Sequence, residues 1–207
     1  PSHSTLCLGG YSSARLGKPV KTSGVYRELL VEAPKIVPVE MSQTAEGVKF
    51  EGAHSGYVPP FGLTHARKLS LSLDGRSLAG EDLLIALDDT AGNAGETVLS
   101  DDINPNVDFQ IRFHLHPEVD AALDLGGTTV AIAAKSGEIW IFRHESKLSL
   151  TIEPGVYLEK NQPIPRSSRQ IVLSGMVNDA LTRAQWSLSK TQDTAMAIRD
   201  LRLEELR

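Results

Sequence analysis

Alternation with a period of two constrains this chain more than any other feature. Phe109, Ile111, Phe113 and Leu115 take turns with Gln110, Arg112, His114 and His116. Successive side chains of an extended strand point to opposite faces, so this segment predicts a strand with one face in a core and one outside it. Val130-Ala131-Ile132-Ala133 and Ile139-Trp140-Ile141-Phe142 flank the turn Lys135-Ser136-Gly137, which predicts a hairpin. Leu69-Ser70-Leu71-Ser72-Leu73, the turn Asp74-Gly75-Arg76 and the run from Leu78 to Leu87 predict another. Further strands are expected over 5–8, 26–32, 36–41, 48–54, 148–153, 170–174 and 184–188, with breaks at Glu46-Gly47, Gly126-Gly127 and Pro154-Gly155. Many short strands punctuated by Gly, Pro and Asp predict an all-β fold, a two-layered antiparallel β-sandwich, and not a βαβ arrangement.

Two stretches read as surface loops: 88–106, rich in Asp, Gly and Asn, and 159–168, with two prolines. After about residue 190 the period changes. Met196, Ile198, Leu201, Leu203 and Leu206 sit among charges, which predicts a short helical tail over 191–207 behind a sandwich domain of 1–190. The chain starts Pro1-Ser2-His3-Ser4-Thr5-Leu6, without an initiator Met. A polar step running straight into an apolar strand reads as a domain cut from a longer protein.

Composition narrows the function classes. Apolar residues make up 41% of 207 residues, enough for a core. A net charge of −5 argues against nucleic acid or an anionic membrane as partner, though a local arginine cluster would still serve a sulfated glycan. Cys7 is the only cysteine, so there is no intrachain disulfide and no cysteine-based zinc cluster. That usage fits a reducing cytoplasm and a disulfide-free periplasmic protein equally. No run is long and apolar enough to cross a membrane as a helix.

Several residues could carry chemistry. Arg112, His114 and His116 share a strand face, and two imidazoles at i and i+2 can converge on a metal or a sugar. The plainer reading is a solvated polar face ended by Pro117. His54 and Tyr57 leave a strand for the Pro59-Pro60 turn, and His65 and Arg67 follow at strand spacing. Together they could line a groove with Tyr57 as a proton-transfer or sugar-stacking group. Otherwise Tyr57 packs its ring over the turn and hydrogen-bonds its hydroxyl. Trp140 and Trp186 are either a stacking platform or core. Arg166 and Arg169, with Lys160 nearby, are either an anion clamp or solvated loop charges. Phosphate loops, nucleophile elbows and zinc-protease helices are absent.

The order of certain segments resembles the C-terminal β-domain of heparinase II/III-like proteins, a group of polysaccharide lyases and bacterial relatives. The residues that carry the resemblance are His3-Ser4-Thr5-Leu6, His54-Ser55-Gly56-Tyr57, Gly62, His65 and Arg67. Gly80-Glu81-Asp82, Phe113-His114-Leu115-His116-Pro117, Val156-Tyr157-Leu158 and Gln170-Ile171-Val172-Leu173-Ser174-Gly175 complete the set. The resemblance runs from His3 to about Leu188. It implies β-elimination of an acidic, uronate-containing polysaccharide by a longer parent, whose upstream α/α-toroid carries most of the catalytic residues. It also implies a structural metal, often zinc, and only His3 matches one of its ligand positions. The other ligand segments are missing, so tight metal binding by this chain is not expected. Nor is activity expected of the chain alone, the rival being a non-catalytic carbohydrate-binding or interdomain scaffold. Loss of preceding strands would leave a sheet edge for the tail, or a second copy in a homodimer, to cover.

Overall fold

The computed structural model describes residues 3–86, 107–144, 147–160, 162, 164–177 and 179–192. In chain order the strands are β1 (Leu6–Leu8), β2 (Arg15–Leu16), β3 (Val20–Thr22), β4 (Val25–Arg27), β5 (Leu30–Glu32), β6 (Val39–Gln43), β7 (Gly47–Tyr57) and β8 (Leu63–Ser72). They continue with β9 (Ser77–Ala86), β10 (Val107–His114), β11 (Val119–Asp124), β12 (Thr129–Ala134), β13 (Ile139–His144), β14 (Ser149–Tyr157), β15 (Arg166–Val177) and β16 (Leu181–Gln192). A four-residue helix, α1 (Val58–Phe61), links β7 to β8.

Every pairing is antiparallel. One layer has four strands in the order β1-β10-β15-β14, and the other has eight in the order β11-β12-β13-β16-β9-β8-β7-β6. The two share one core, with Leu6, Leu8, Phe109, Ile111, Ile171 and Leu173 from the smaller sheet and Leu63, Leu84, Val130, Phe142, Ala184 and Trp186 from the larger. Phe113 of β10 crosses between them, edge-on to Trp186 at 4.7 Å and tilted to Phe142 at 4.9 Å. The alternation of 109–115 therefore has its expected cause: its odd residues enter this core. The fold is the two-layered antiparallel sandwich that the pattern predicts.

Turn chemistry fixes the hairpins. Between β8 and β9, Gly75 takes φ +68° and donates to the Ser72 carbonyl, while the Asp74 carboxylate accepts the Arg76 amide. The helix α1 ends on Gly62 at φ +69°, whose amide caps the Val58 carbonyl.

Several boundaries differ from the sequence expectation. Pro154-Gly155 lies inside β14, paired with Arg169 and Ser168, and not in a turn. The strand is at the sheet edge, where a proline that cannot donate is tolerated. The loop expected over 159–168 is shorter, because β15 already begins at Arg166. The segment 26–32 is two strands, not one, since the chain opposite it is interrupted by Pro19, which has no amide to offer a ladder. Val119–Asp124 adds a strand that its weak alternation did not announce. β16 continues to Gln192, and the helix expected in the tail lies outside the described residues, as does the loop over 88–106. β1 is the edge strand of the smaller sheet, paired with β10 on one side.

Gly80 is a packing requirement of this fold. It lies opposite Trp186 in the β9–β16 ladder, and a Cβ there would sit 2.1 Å from the indole Cζ2. Gly80→Ala should therefore destabilise the domain by about 1–3 kcal/mol through overpacking. The reading is a lower urea midpoint at unchanged m-value, and an unmoved midpoint would contradict the Trp186 placement.

Candidate functional site

The strand register puts four polar residues on the core face of the larger sheet. Arg67 is opposite Asp82, His65 is opposite both Leu84 and His54, and Trp186 lies diagonal to Asp82 across β16. The Asp82 side chain is fully shielded from solvent, so its charge must be met by donors. Its Oδ1 accepts from His65 Nε2 at 2.8 Å and Arg67 Nε at 2.8 Å, and its Oδ2 accepts from Arg67 Nη2 at 3.1 Å and Trp186 Nε1 at 3.0 Å. Four donors fill the four acceptor positions of the carboxylate. Burial pushes the Asp82 carboxyl up, but the His65 hydrogen bond and the charge and hydrogen bonds of Arg67 together outweigh it. Its pKa lies below the ordinary carboxylate value.

The network extends in two directions. Toward β7, His65 Nδ1 meets His54 Nε2 at 3.1 Å, and the Gly56 amide donates to His54 Nδ1 at 3.2 Å. This order fixes both tautomers: an accepting His54 Nδ1 leaves the proton on Nε2, which donates to His65 Nδ1, which leaves the His65 proton on Nε2 facing Asp82. Burial first, and then the neighbouring His65, lower the His54 pKa from 6.5 to about 4. Toward the smaller sheet, Arg67 Nη1 donates to the Ser4 carbonyl at 2.7 Å. Ser4 Oγ in turn accepts the His114 amide at 3.0 Å, and the Arg112 amide bonds the Thr5 carbonyl at 3.0 Å. One guanidinium thus joins a carboxylate of one layer to the segment that leads into β1 of the other.

The structure brings His54, His65 and Arg67 together, with His65 buried and His54 and Arg67 half-buried at the margin of the core. Tyr57 has 1% of its surface exposed, its ring packs 5.4 Å from His54, and its hydroxyl donates to the Leu6 carbonyl at 2.9 Å. That is the plainer of the two arrangements its sequence left open, and burial pushes the phenol pKa upward. His114 and His116 sit in separate surroundings: His114 ends β10, whereas His116 is exposed beyond it, packs edge-on against Tyr157 at 4.9 Å and accepts the Glu118 amide. Arg112 pairs with Glu153 at 2.8 Å, Arg166 with Glu159 at 3.2 Å, and Arg169 donates to the Ala121 carbonyl. Trp186 is core, and Trp140 is half-buried beneath the Lys190 ammonium at 5.9 Å.

His3 is exposed. Among the described residues no three His, Cys, Asp or Glu side chains are grouped to hold a metal ion. The described residues therefore offer no complete ligand set for zinc around His3, and no chemistry is derived through one. A concavity of about 340 Å³ lies elsewhere, across β7, β8, β9 and β16, where Lys49 and Lys68 are interspersed with Glu51 and Glu81. Lys68 pairs with Glu51 at 3.6 Å and Glu81 with Arg183 at 3.2 Å, so the trough has no single sign of charge to offer a polyanion. Asp82 is the hub that sequence reasoning valued least. Its signal is a charge on a core-face position, between Gly80 and Leu84 in an alternating strand.

The strand order and the carboxylate-centred polar cluster define this chain as a two-layered antiparallel β-sandwich domain. The chain belongs to the heparinase II/III-like, C-terminal family, whose sequence pattern matches residues 1–192. The fold is similar to that of heparan sulfate lyase HepC from Pedobacter heparinus, with a TM-score of 0.63 at 12% identity over 94% of this chain and 25% of that one. A heparinase III structure gives a TM-score of 0.55 at 13% identity over 94% and 24%. In sequence, the chain is 30% identical over 166 residues to FtsZ-localized protein C of Caulobacter vibrioides, covering 79% of this chain and 27% of that protein. The chain thus spans about a quarter of the length of these relatives.

Two predictions test the network. Asp82→Asn removes the charge that balances half-buried Arg67 and should cost about 2–4 kcal/mol. In a double-mutant cycle, Arg67→Met with Asp82→Asn should cost clearly less than the sum of the single changes, and strict additivity would break the proposed coupling. His54 gives a pH signature. The unfolded chain takes up a proton near 6.5 and the folded one only near 4, so its contribution is complete above 6.5 and is lost as pH falls toward 4. Urea midpoints should fall over that window, and His54→Asn should flatten this part of the slope.

Proposed function

We propose that this chain is the C-terminal β-domain of a polysaccharide lyase that cleaves uronic-acid-containing polysaccharide by β-elimination, with the catalytic toroid lying upstream. The supporting observation is the interior placement of its acid–base groups. Tyr57, His65 and Asp82 are buried, and their polar atoms are engaged by backbone, by His54, Arg67 and Trp186, or by one another. A base that removes the C5 proton of a uronate must reach that proton within hydrogen-bonding distance, and these groups do not face an opening. In this reading the domain is a rigid wall, and carboxylate neutralisation and proton abstraction belong to the upstream part. The family membership, and a fold like that of a heparan sulfate lyase, support an acidic polysaccharide as the substrate class in this reading.

A second reading, a non-catalytic binding or interdomain scaffold, draws support from the Caulobacter relative, whose name records localisation with FtsZ and no reaction. The two readings separate in one assay. The full-length protein and this 207-residue chain are presented with a panel of uronate polysaccharides, and the ultraviolet absorbance of the unsaturated uronate is followed. Turnover by the full-length protein alone is expected. Silence from a folded full-length protein across the panel, with glycan binding retained, would replace the lyase by the scaffold, and turnover by this chain alone would overturn the accessory role.

A further inference from the structure

Over residues 15–32 the chain leaves the two sheets. β2 pairs only with β5 and β3 only with β4, so residues 15–32 form a nested hairpin that joins neither sheet. Its tip is Ser23-Gly24, both at positive φ, as a two-residue turn between twisted strands requires. An isolated two-stranded hairpin is marginal in water. This one also shows apolar side chains on both faces: Tyr26 is 69% exposed, Leu30 57%, Val25 56% and Leu16 55%. With Val20, Leu29 and Val31 also exposed, the arm holds seven exposed large apolar residues in eighteen, a contiguous density that marks interaction surfaces. Such a surface is built to be covered.

Its position and charge identify the cover. The arm is rooted where the chain enters the fold. The Tyr57 hydroxyl touches the carbonyls of both Leu6 and Tyr11, and Gly56 backs so closely on Ser13 and Pro34 that a Cβ would meet the Ser13 carbonyl at 2.5 Å. Arg67 holds Ser4 at the same pole. Any polypeptide that precedes His3 is therefore tethered beside the arm, at an effective concentration on the order of millimolar, which a second copy in solution does not reach. The arm carries Arg15, Lys18, Lys21 and Arg27 against Glu28 and Glu32, a net +2 within a chain of net −5.

We infer that the hairpin of residues 15–32 is a docking arm that seats in an apolar, acid-rimmed surface of the upstream domain in the same polypeptide. The inference rests on the reading of an upstream domain given above, not on that domain's chemistry. The arm inserts Tyr26 and Leu30, and its lysines and arginines meet carboxylates on the rim.

Hydrogen–deuterium exchange of the full-length protein tests this directly, beside the 207-residue chain. Amides of residues 20–27 are expected to exchange at least tenfold more slowly in the full-length protein. Tyr26→Ser with Leu30→Ser should abolish that protection and speed proteolysis between the domains at least tenfold. The same pair should leave the melting midpoint of this chain within about 2 °C, because the residues are not in its core. Lys21→Glu with Arg27→Glu should weaken protection in a salt-dependent way. Equal exchange in both proteins overturns the inference. So does protection of this chain alone that rises with its concentration, which would make a second copy the occupant. Protection of this chain that appears only on anionic phosphatidylglycerol vesicles overturns it in favour of a membrane. The elimination assay on the same preparation keeps the two ideas apart: protection without turnover sinks the lyase and spares the arm, and turnover without protection does the reverse.

Discussion

A carboxylate sealed away from water must be surrounded by donors or lose its charge, and Asp82 dictates the arrangement of everything near it. Its two oxygens take four hydrogen bonds, from His65, Arg67 and Trp186. Each donor is held by a second interaction. Trp186 stacks with Phe142 and meets Phe113 of the opposite sheet, His65 is fixed by His54, and Arg67 reaches out to Ser4. The polar cluster and the aromatic core are therefore one unit, and it lies where the two layers meet. Such a network specifies a single register: slipping β8 against β9 by one residue would send Arg67 to the outer face and leave Asp82 unpaired.

This arrangement also explains why residues that look catalytic in the sequence fit a structural role. His54, Tyr57, His65 and Arg67 are the types that an elimination would recruit, yet each is engaged in hydrogen bonds within the domain. The ordered chain of donors from Gly56 through both imidazoles to Asp82 makes protonation of His54 costly, because it removes the acceptor that the Gly56 amide needs. A domain built this way is stiff at the pole where its N-terminal segment enters. The arm of residues 15–32 leaves from that same pole with its apolar surface uncovered, so rigidity and exposed docking surface sit side by side.

Much of the architecture was legible because strand periodicity is a local property. The odd residues of 109–115 and the hairpins around Gly75 and Gly137 follow from side-chain alternation and turn chemistry alone. Pro154-Gly155 misled because turn residues are ordinary at a sheet edge, and edge status depends on partners distant in sequence. The arm was half legible. Tyr26 and Leu30 read as strand, but nothing local says that a strand will find only another short strand to pair with and no layer to pack on.

By itself, then, the sequence determined an antiparallel all-β sandwich, its turn positions, and the cluster of polar residue types carried by the family resemblance. Tertiary structure alone decided that His54, His65, Arg67 and Asp82 converge, that His65 and Asp82 are buried there, and that residues 15–32 stand apart from both sheets. The reason is physical. Alternation states which residues share a face, but whether that face meets a core, solvent or another domain depends on strand order and register, and these are set by contacts between residues as far apart as Ser4 and Arg67 or Asp82 and Trp186.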